Sequence, residues 1–120
     1  MTEKDRSHLT ELINSWQINW LFSTPSALKN LNDPTSVPTL DTIVMVGELP
    51  SHEIYERWSE SHLTLINGYG PAENTFFSTM AVVQKGNQDP RNIGFPINTH
   101  VWIMDPCNVQ NPLPMGAVGE

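Results

Sequence analysis

Apolar runs and helically spaced apolar positions alternate through the first half of the chain, then give way to strands and turns. Leu9, Leu12, Ile13 and Trp16 recur at helical spacing and predict an amphipathic helix over Glu3–Ser15. Residues 18–22 are a short apolar run that reads as a strand. Thr24 followed by Pro25 makes an N-cap and first-turn pair, so a helix opens there and runs to about Leu31. Residues 32–38, Asn-Asp-Pro-Thr-Ser-Val-Pro, are a loop by composition. Residues 42–46 are β-branched and apolar, a strand buried on both faces. Pro50 and Ser51 start a helix through about Glu60, with Ile54, Tyr55 and Trp58 on one face, and residues 63–66 form a third strand. Strands alternating with helices imply parallel βαβ units and an α/β class.

After Glu73 the pattern changes. Residues 75–83 read as one long strand and residues 101–104 as another, with a loop over residues 86–90 and turns at Asp105-Pro106 and Asn111-Pro112. The α/β part, residues 1–80, is therefore expected to pass into a β-rich tail, residues 81–120.

Composition narrows the classes. At 120 residues the chain makes one modest core. Thirteen acidic residues face six basic ones, and Lys4, Arg6, Lys29, Arg57, Lys85 and Arg91 are scattered. Such a distribution offers no basic patch, so neither nucleic acid nor an anionic membrane is an expected partner. Cys107 is the only cysteine, which rules out an internal disulfide. The polar start lacks a signal-peptide core, and no apolar run approaches the ~18 residues of a spanning helix. A cytoplasmic setting is the expectation.

The chemistry concentrates in Asn67-Gly68-Tyr69-Gly70-Pro71-Ala72-Glu73, directly after the third strand. A glycine-punctuated turn there lets backbone approach a ligand, and open α/β sheets bind ligands outside the carboxyl ends of their strands. Tyr69 supplies an aromatic face, Asn67 a carboxamide and Glu73 a carboxylate, the groups that hold a purine and a divalent cation. Asn-Gly and Gly-Pro are also ordinary loop punctuation, so these residues alone fit a plain connection equally well. His8, His52, His62 and His100 lack ligand spacing and read as solvated or capping. Glu53, Glu56 and Glu60 read as a solvated helix face, and Trp16, Trp20, Trp58 and Trp102 as core or half-buried residues. Glu48 reads as a solvated turn carboxylate.

This stretch resembles the Asn-x-Tyr-Gly-Pro-Thr-Glu motif of the adenylation domains of nonribosomal peptide synthetases, within the wider acyl-adenylate-forming, AMP-binding family. The resemblance covers most of the chain. Leu40-Asp41-Thr42-Ile43-Val44-Met45-Val46-Gly47-Glu48-Leu49-Pro50 is similar to that family's strand ending in Gly-Gly-Glu. Ile18-Asn19-Trp20-Leu21-Phe22-Ser23-Thr24-Pro25-Ser26 is similar to its strand running into Thr-Pro-Ser. Asn92-Ile93-Gly94-Phe95-Pro96-Ile97 and Pro114-Met115-Gly116-Ala117-Val118-Gly119-Glu120 match two further segments, in order and at fitting spacing.

The resemblance implies a flavodoxin-like subdomain crossing into the start of a small β-barrel subdomain. It implies joining an amino acid to ATP with magnesium, then passing the acyl group to phosphopantetheine on a carrier domain. By position, Tyr69 would stack on adenine and Asn67 would bond its exocyclic amine. Gly68 would admit ligand to the backbone, Gly47 would lie against the nucleotide, and Glu73 would ligate the metal. Phe22, Val44, Val46, Gly68, Phe76 and Phe77 match amino-acid-pocket positions, although apolar residues on a buried strand are also ordinary core.

Two positions depart from the common pattern. Ala72 stands where Thr is usual, removing a hydroxyl near the α-phosphate, a change that similar fungal synthetases share. Val46 replaces the first glycine of Gly-Gly-Glu and narrows that strand end. The family's Ser/Thr/Gly-rich phosphate loop, its Tyr-Arg-Thr-Gly-Asp segment and the C-terminal subdomain with its Lys lie outside these 120 residues. An internal segment of an adenylating domain, inactive alone, is the expectation. A non-catalytic nucleotide-binding or interaction module derived from such a domain is the alternative.

Overall fold

The computed structural model describes residues 3–74, 77–86 and 89–120. Helix α1 spans Glu3–Ser15, where the helical spacing put it, and buries Ile13. It ends through Gln17, whose φ of 51° lets the Ile18 N–H donate back to Ile13 O at 3.0 Å. That bond satisfies a last-turn carbonyl and turns the chain toward the sheet. Trp16 falls just past the last helical residue, which is why it is 73% exposed instead of packed.

Strand β1 is Trp20–Ser23, followed by α2, Pro25–Leu28. Thr24 caps α2 as expected, its Oγ1 accepting from the Ala27 N–H at 3.3 Å. The helix stops earlier than Leu31 because the next bonds close three residues back, Asn30 N–H to Ala27 O and Leu31 N–H to Leu28 O. These tighter turns still bury Leu28 and Leu31. Strand β2, Thr42–Met45, and helix α3, His52–Ser59 with Ser51 as its cap, follow the sequence reading closely.

Strand β3, Thr64–Tyr69, runs three residues further than the apolar run. The cause is strand β4, Thr79–Val82, which lies antiparallel and pairs Asn67 with Ala81, Gly68 with Met80 and Tyr69 with Thr79. Asn67, Gly68 and Tyr69 are thus strand residues and not turn residues. Strand β4 is shorter than the expected 75–83, and residues 75 and 76 lie outside the described part. Strand β5, Phe95–Pro96, pairs with β4.

The tail departs most from expectation. Strands β6, Met104–Asp105, and β7, Asn108–Pro112, form a separate antiparallel hairpin around Pro106 and Cys107. The apolar run at 101–103 is not strand, and Val101, Trp102 and Ile103 are exposed. The Asn111-Pro112 turn is strand. Apolarity pointed to the wrong residues because pairing across a two-residue turn, not burial, selects the strand here.

The main sheet has the order β1-β2-β3-β4-β5, with β1, β2 and β3 parallel and β4 and β5 antiparallel additions. Ile43, Met45 and Leu65 face a core filled by Ile13, Leu28, Leu31, Ile54, Tyr55 and Trp58 from the helical side. Side chains alternate along a strand, so Phe22, Val44 and Ile66, which pair in register, occupy the opposite face.

Candidate nucleotide-binding site

Two connections meet at the carboxyl ends of β2 and β3. The first leaves β2 through Gly47, whose φ of +83° is a conformation other residues rarely adopt. The second leaves β3 at Tyr69 and Gly70. Between them lies a cleft of about 310 Å³ lined by residues 47–50 and 67–71, with Pro90 and Ile93 closing one side. That volume sits at the lower end of small-molecule sites, roughly 300–1,000 Å³.

Asn67 organises the cleft. It is 3% exposed, and its Nδ2 donates to Pro90 O at 3.0 Å and to Asn92 O at 2.9 Å. With both amide hydrogens committed to carbonyls, the atom Asn67 can offer a ligand is Oδ1, an acceptor. The same bonds hold the wall that carries Pro90 and Ile93. Asp89 folds that wall further, accepting from the Arg91 backbone at 3.0 Å and from its guanidinium at 2.9 and 3.1 Å. Hydrogen bonds from Arg91 hold the Asp89 carboxyl below its usual value. Tyr55, buried beneath, has its phenol pushed up by burial and then by the Asp89 charge.

Tyr69 ends β3 half-exposed and lines the cleft with an aromatic side chain. Gly47 leaves the facing side clear: a methyl built on it would meet only Thr24 Cγ2, at 3.9 Å. Ala72 and Glu73 lie on an exposed 3-10 turn, Ala72–Asn74, beyond the cleft lining. Among the described residues no group of three or more His, Cys, Asp or Glu side chains converges on a point. Glu73 supplies its carboxylate from this exposed turn. One carboxylate fits magnesium, which is commonly held by one or two carboxylates together with substrate phosphates and water.

The predicted amino-acid positions gather on the other face of the sheet. Phe22 pairs with Val44, and Val46 continues that parity, its N–H bonding Ser23 O at 3.1 Å. Phe77 sits edge-on to Phe22, ring centroids 5.7 Å apart, and Phe22 stacks on Trp20 at 6.3 Å. The Phe77 ring also covers Gly68, where a methyl would lie 2.6 Å from Cε1. Gly68 thus separates the cleft from the aromatic row. Phe76 lies outside the described residues.

A family profile described as AMP-binding enzyme matches residues 1–120. The chain belongs to the AMP-binding enzyme family. It is 38% identical over 120 residues to the bassianolide nonribosomal cyclodepsipeptide synthetase of Beauveria bassiana, covering 99% of this chain and 4% of that protein. It also resembles holo-PA1221, a nonribosomal peptide synthetase protein containing adenylation and carrier domains bound to a vinylsulfonamide inhibitor. That match has 27% identity and a TM-score of 0.71 over 83% of this chain and 19% of the other. The synthetase FmoA3 in its alpha-methyl-L-serine-AMP bound form shares the fold, with 23% identity and a TM-score of 0.77 over 95% of this chain and 14% of that one. The chain thus spans a small share of the proteins it matches. Its α/β sheet is the one these AMP-binding relatives share. Among the described residues no helix is long and apolar enough to cross a membrane.

The sequence pointed to Asn67, Gly68, Tyr69 and Gly47, and the structure brings these four together. It did not single out Pro90 and Ile93 as wall residues. Their signal was the Asn92-Ile93-Gly94 segment, which reads as a site element only once Asn67 is seen to bond across 23 to 25 residues.

Proposed function

We propose that this chain is an internal segment of an amino-acid-adenylating domain and supplies its adenine- and metal-binding corner. The observation that carries the reading is the Asn67 carboxamide, whose N–H groups are spent on a cleft wall, leaving Oδ1 as its acceptor beside the cleft-lining Tyr69. Adenine would stack on Tyr69 and donate its exocyclic amine to Asn67 Oδ1. Gly47 and Gly68 would let the base and the acyl group approach the backbone, with Ala72 beside the α-phosphate.

In the reaction, a substrate carboxylate oxygen bonds the α-phosphorus and the bond to the β-phosphate oxygen breaks, releasing pyrophosphate. The acyl group would then pass to a phosphopantetheine thiol on a carrier domain: sulfur bonds the acyl carbon, the carbon–oxygen bond to AMP breaks, AMP leaves and the thiol gives up its proton. Magnesium, when bound, would neutralise charge on the leaving pyrophosphate. Glu73 would supply one of its oxygen ligands. Phe22, Val44, Val46, Phe76 and Phe77 would wall the amino acid, separated from the nucleotide by Gly68. Residues 1–80 would be the later part of the α/β subdomain and residues 81–120 the connection to a barrel, with β4 and β5 joining them. A cytoplasmic setting belongs to this reading, supported by a cysteine content that allows no internal disulfide.

Amino-acid-dependent exchange of pyrophosphate into ATP tests the proposal in a complete adenylation domain carrying these residues. Tyr69→Ala should raise the KM for ATP by about 5- to 150-fold, since base stacking is worth roughly 1–3 kcal/mol. Glu73→Gln should lower kcat with little change in amino-acid affinity, because metal charge matters most as the leaving group develops its own. An unchanged rate for Glu73→Gln at saturating Mg-ATP would remove the metal role.

A further inference from the structure

We infer that Glu48 is a positioning residue for the nucleotide cleft, strapping the carboxyl end of β2 to the first turn of α2. The inference rests on the proposed nucleotide site and adds a residue that the sequence assigned only to solvent. Glu48 Oε2 accepts from the Ser26 backbone N–H at 3.2 Å and also from the Ser26 hydroxyl. The partners are 22 residues apart in sequence, so the contact joins two separate connections.

The bonds complete the first turn of α2. A helix start leaves N–H groups without intrahelical partners. Pro25 has no N–H, and the Ala27 N–H is taken by Thr24 Oγ1. Ser26 is the remaining donor, and Glu48 receives it. On the β2 side, Glu48 directly follows Gly47 and belongs to the connection that lines the cleft over residues 47–50. Anchoring its carboxylate fixes the wall against which a base would lie.

The test uses a complete adenylation domain carrying this segment, with two readouts. The first needs no nucleotide: amide hydrogen exchange at Ser26. Glu48→Ala should speed it, and Glu48→Gln, which keeps an acceptor, should restore most of the protection. The second is the ATP dependence of pyrophosphate exchange. Glu48→Ala should raise the KM for ATP about 10-fold, the effect of one charge-assisted hydrogen bond, with kcat within about twofold. Ser26→Ala should raise it by less, because the backbone donor remains. The double variant should be no worse than Glu48→Ala alone, since both changes remove one contact. Unchanged Ser26 exchange and unchanged KM in Glu48→Ala would overturn the inference, as would strictly additive effects of the two substitutions. If Ser26 exchange responds as stated but the unmodified domain never turns over ATP, the strap stands and the adenylation reading fails.

Discussion

Replacing Asn67 by aspartate should destabilise this fold in a pH-dependent way. The substitution keeps size and shape but exchanges a double donor for an acceptor. Its two partners, Pro90 O at 3.0 Å and Asn92 O at 2.9 Å, would then face a carboxylate oxygen in a site only 3% exposed. The bond to Pro90 is buried and its loss leaves a dry carbonyl unpaired, while the bond to Asn92 is partly wet and costs less. At about 1–3 kcal/mol for a buried unsatisfied group and less for the second, the pH-independent part is roughly 2–4 kcal/mol, to which ionisation of the buried carboxyl adds at neutral pH. In a complete adenylation domain carrying these residues, that loss should appear as a lowered melting midpoint.

The pH sign follows from the introduced carboxyl. Facing two carbonyl oxygens out of water, it would have its folded pKa raised above the unfolded value of about 3.9. The folded state then binds the proton more tightly than the unfolded chain. The ionisation penalty is absent below about pH 4, grows as pH rises through the window between the unfolded and folded values, and is constant above it. Asn67→Ala is the control: it unpairs the same carbonyls without a titrating group, so its cost should be flat with pH. Thermal unfolding of both variants between about pH 3.5 and 8 measures this. An Asn67→Asp midpoint equal to the parent at neutral pH, or a cost that does not shrink on acidification, would refute the reasoning.

Other outcomes follow from the same geometry. Gly94→Ala should cost more than about 3 kcal/mol, because it strains a φ of +72° and sets a methyl 1.9 Å from Met80 O, which is backbone and cannot swing aside; a cost under about 1 kcal/mol in equilibrium unfolding would contradict the β4–β5 register. Gly68→Ala should raise the KM for amino acid more than that for ATP in an intact domain, since the methyl must displace the Phe77 ring from Phe22; equal rises would place Gly68 wrongly between the two chambers. The 120 residues alone should associate at micromolar concentration and show no amino-acid-dependent pyrophosphate exchange. The exposed Phe95 and Trp102, at 81% and 66%, and the short edge strand β5 supply the sticky surface. A monomer by sedimentation that unfolds in a single cooperative transition would count against it.

Most of the first 66 residues were readable because local signals and burial agree there, the early end of α2 and the exposed Trp16 being the exceptions. Thr24-Pro25 and Ser51 start helices by capping chemistry, and the 42–46 run is apolar because both its faces are covered. The later residues depend on partners that local sequence does not show. Asn67, Gly68 and Tyr69 carry turn chemistry, yet β4 pairs with them and makes them strand. The tail strand expected at 101–104 keeps only Met104 and runs on to Asp105 for the same reason. At the site, residue types announced Tyr69 and Asn67. They did not announce which Asn67 atoms are spent on the wall, because that depends on a loop more than 20 residues downstream. Glu48 was passed over because its partner Ser26 is just as distant.

The cleft between β2 and β3 is proposed to hold adenine. A crystal structure of a complete adenylation domain carrying these residues, grown with AMP, tests it most directly. The base should stack on Tyr69, with its exocyclic amine within hydrogen-bond distance of Asn67 Oδ1 and the Asn67 bonds to Pro90 O and Asn92 O kept. Adenine bound elsewhere, or an Asn67 carboxamide turned to present its nitrogen to the base, would contradict it.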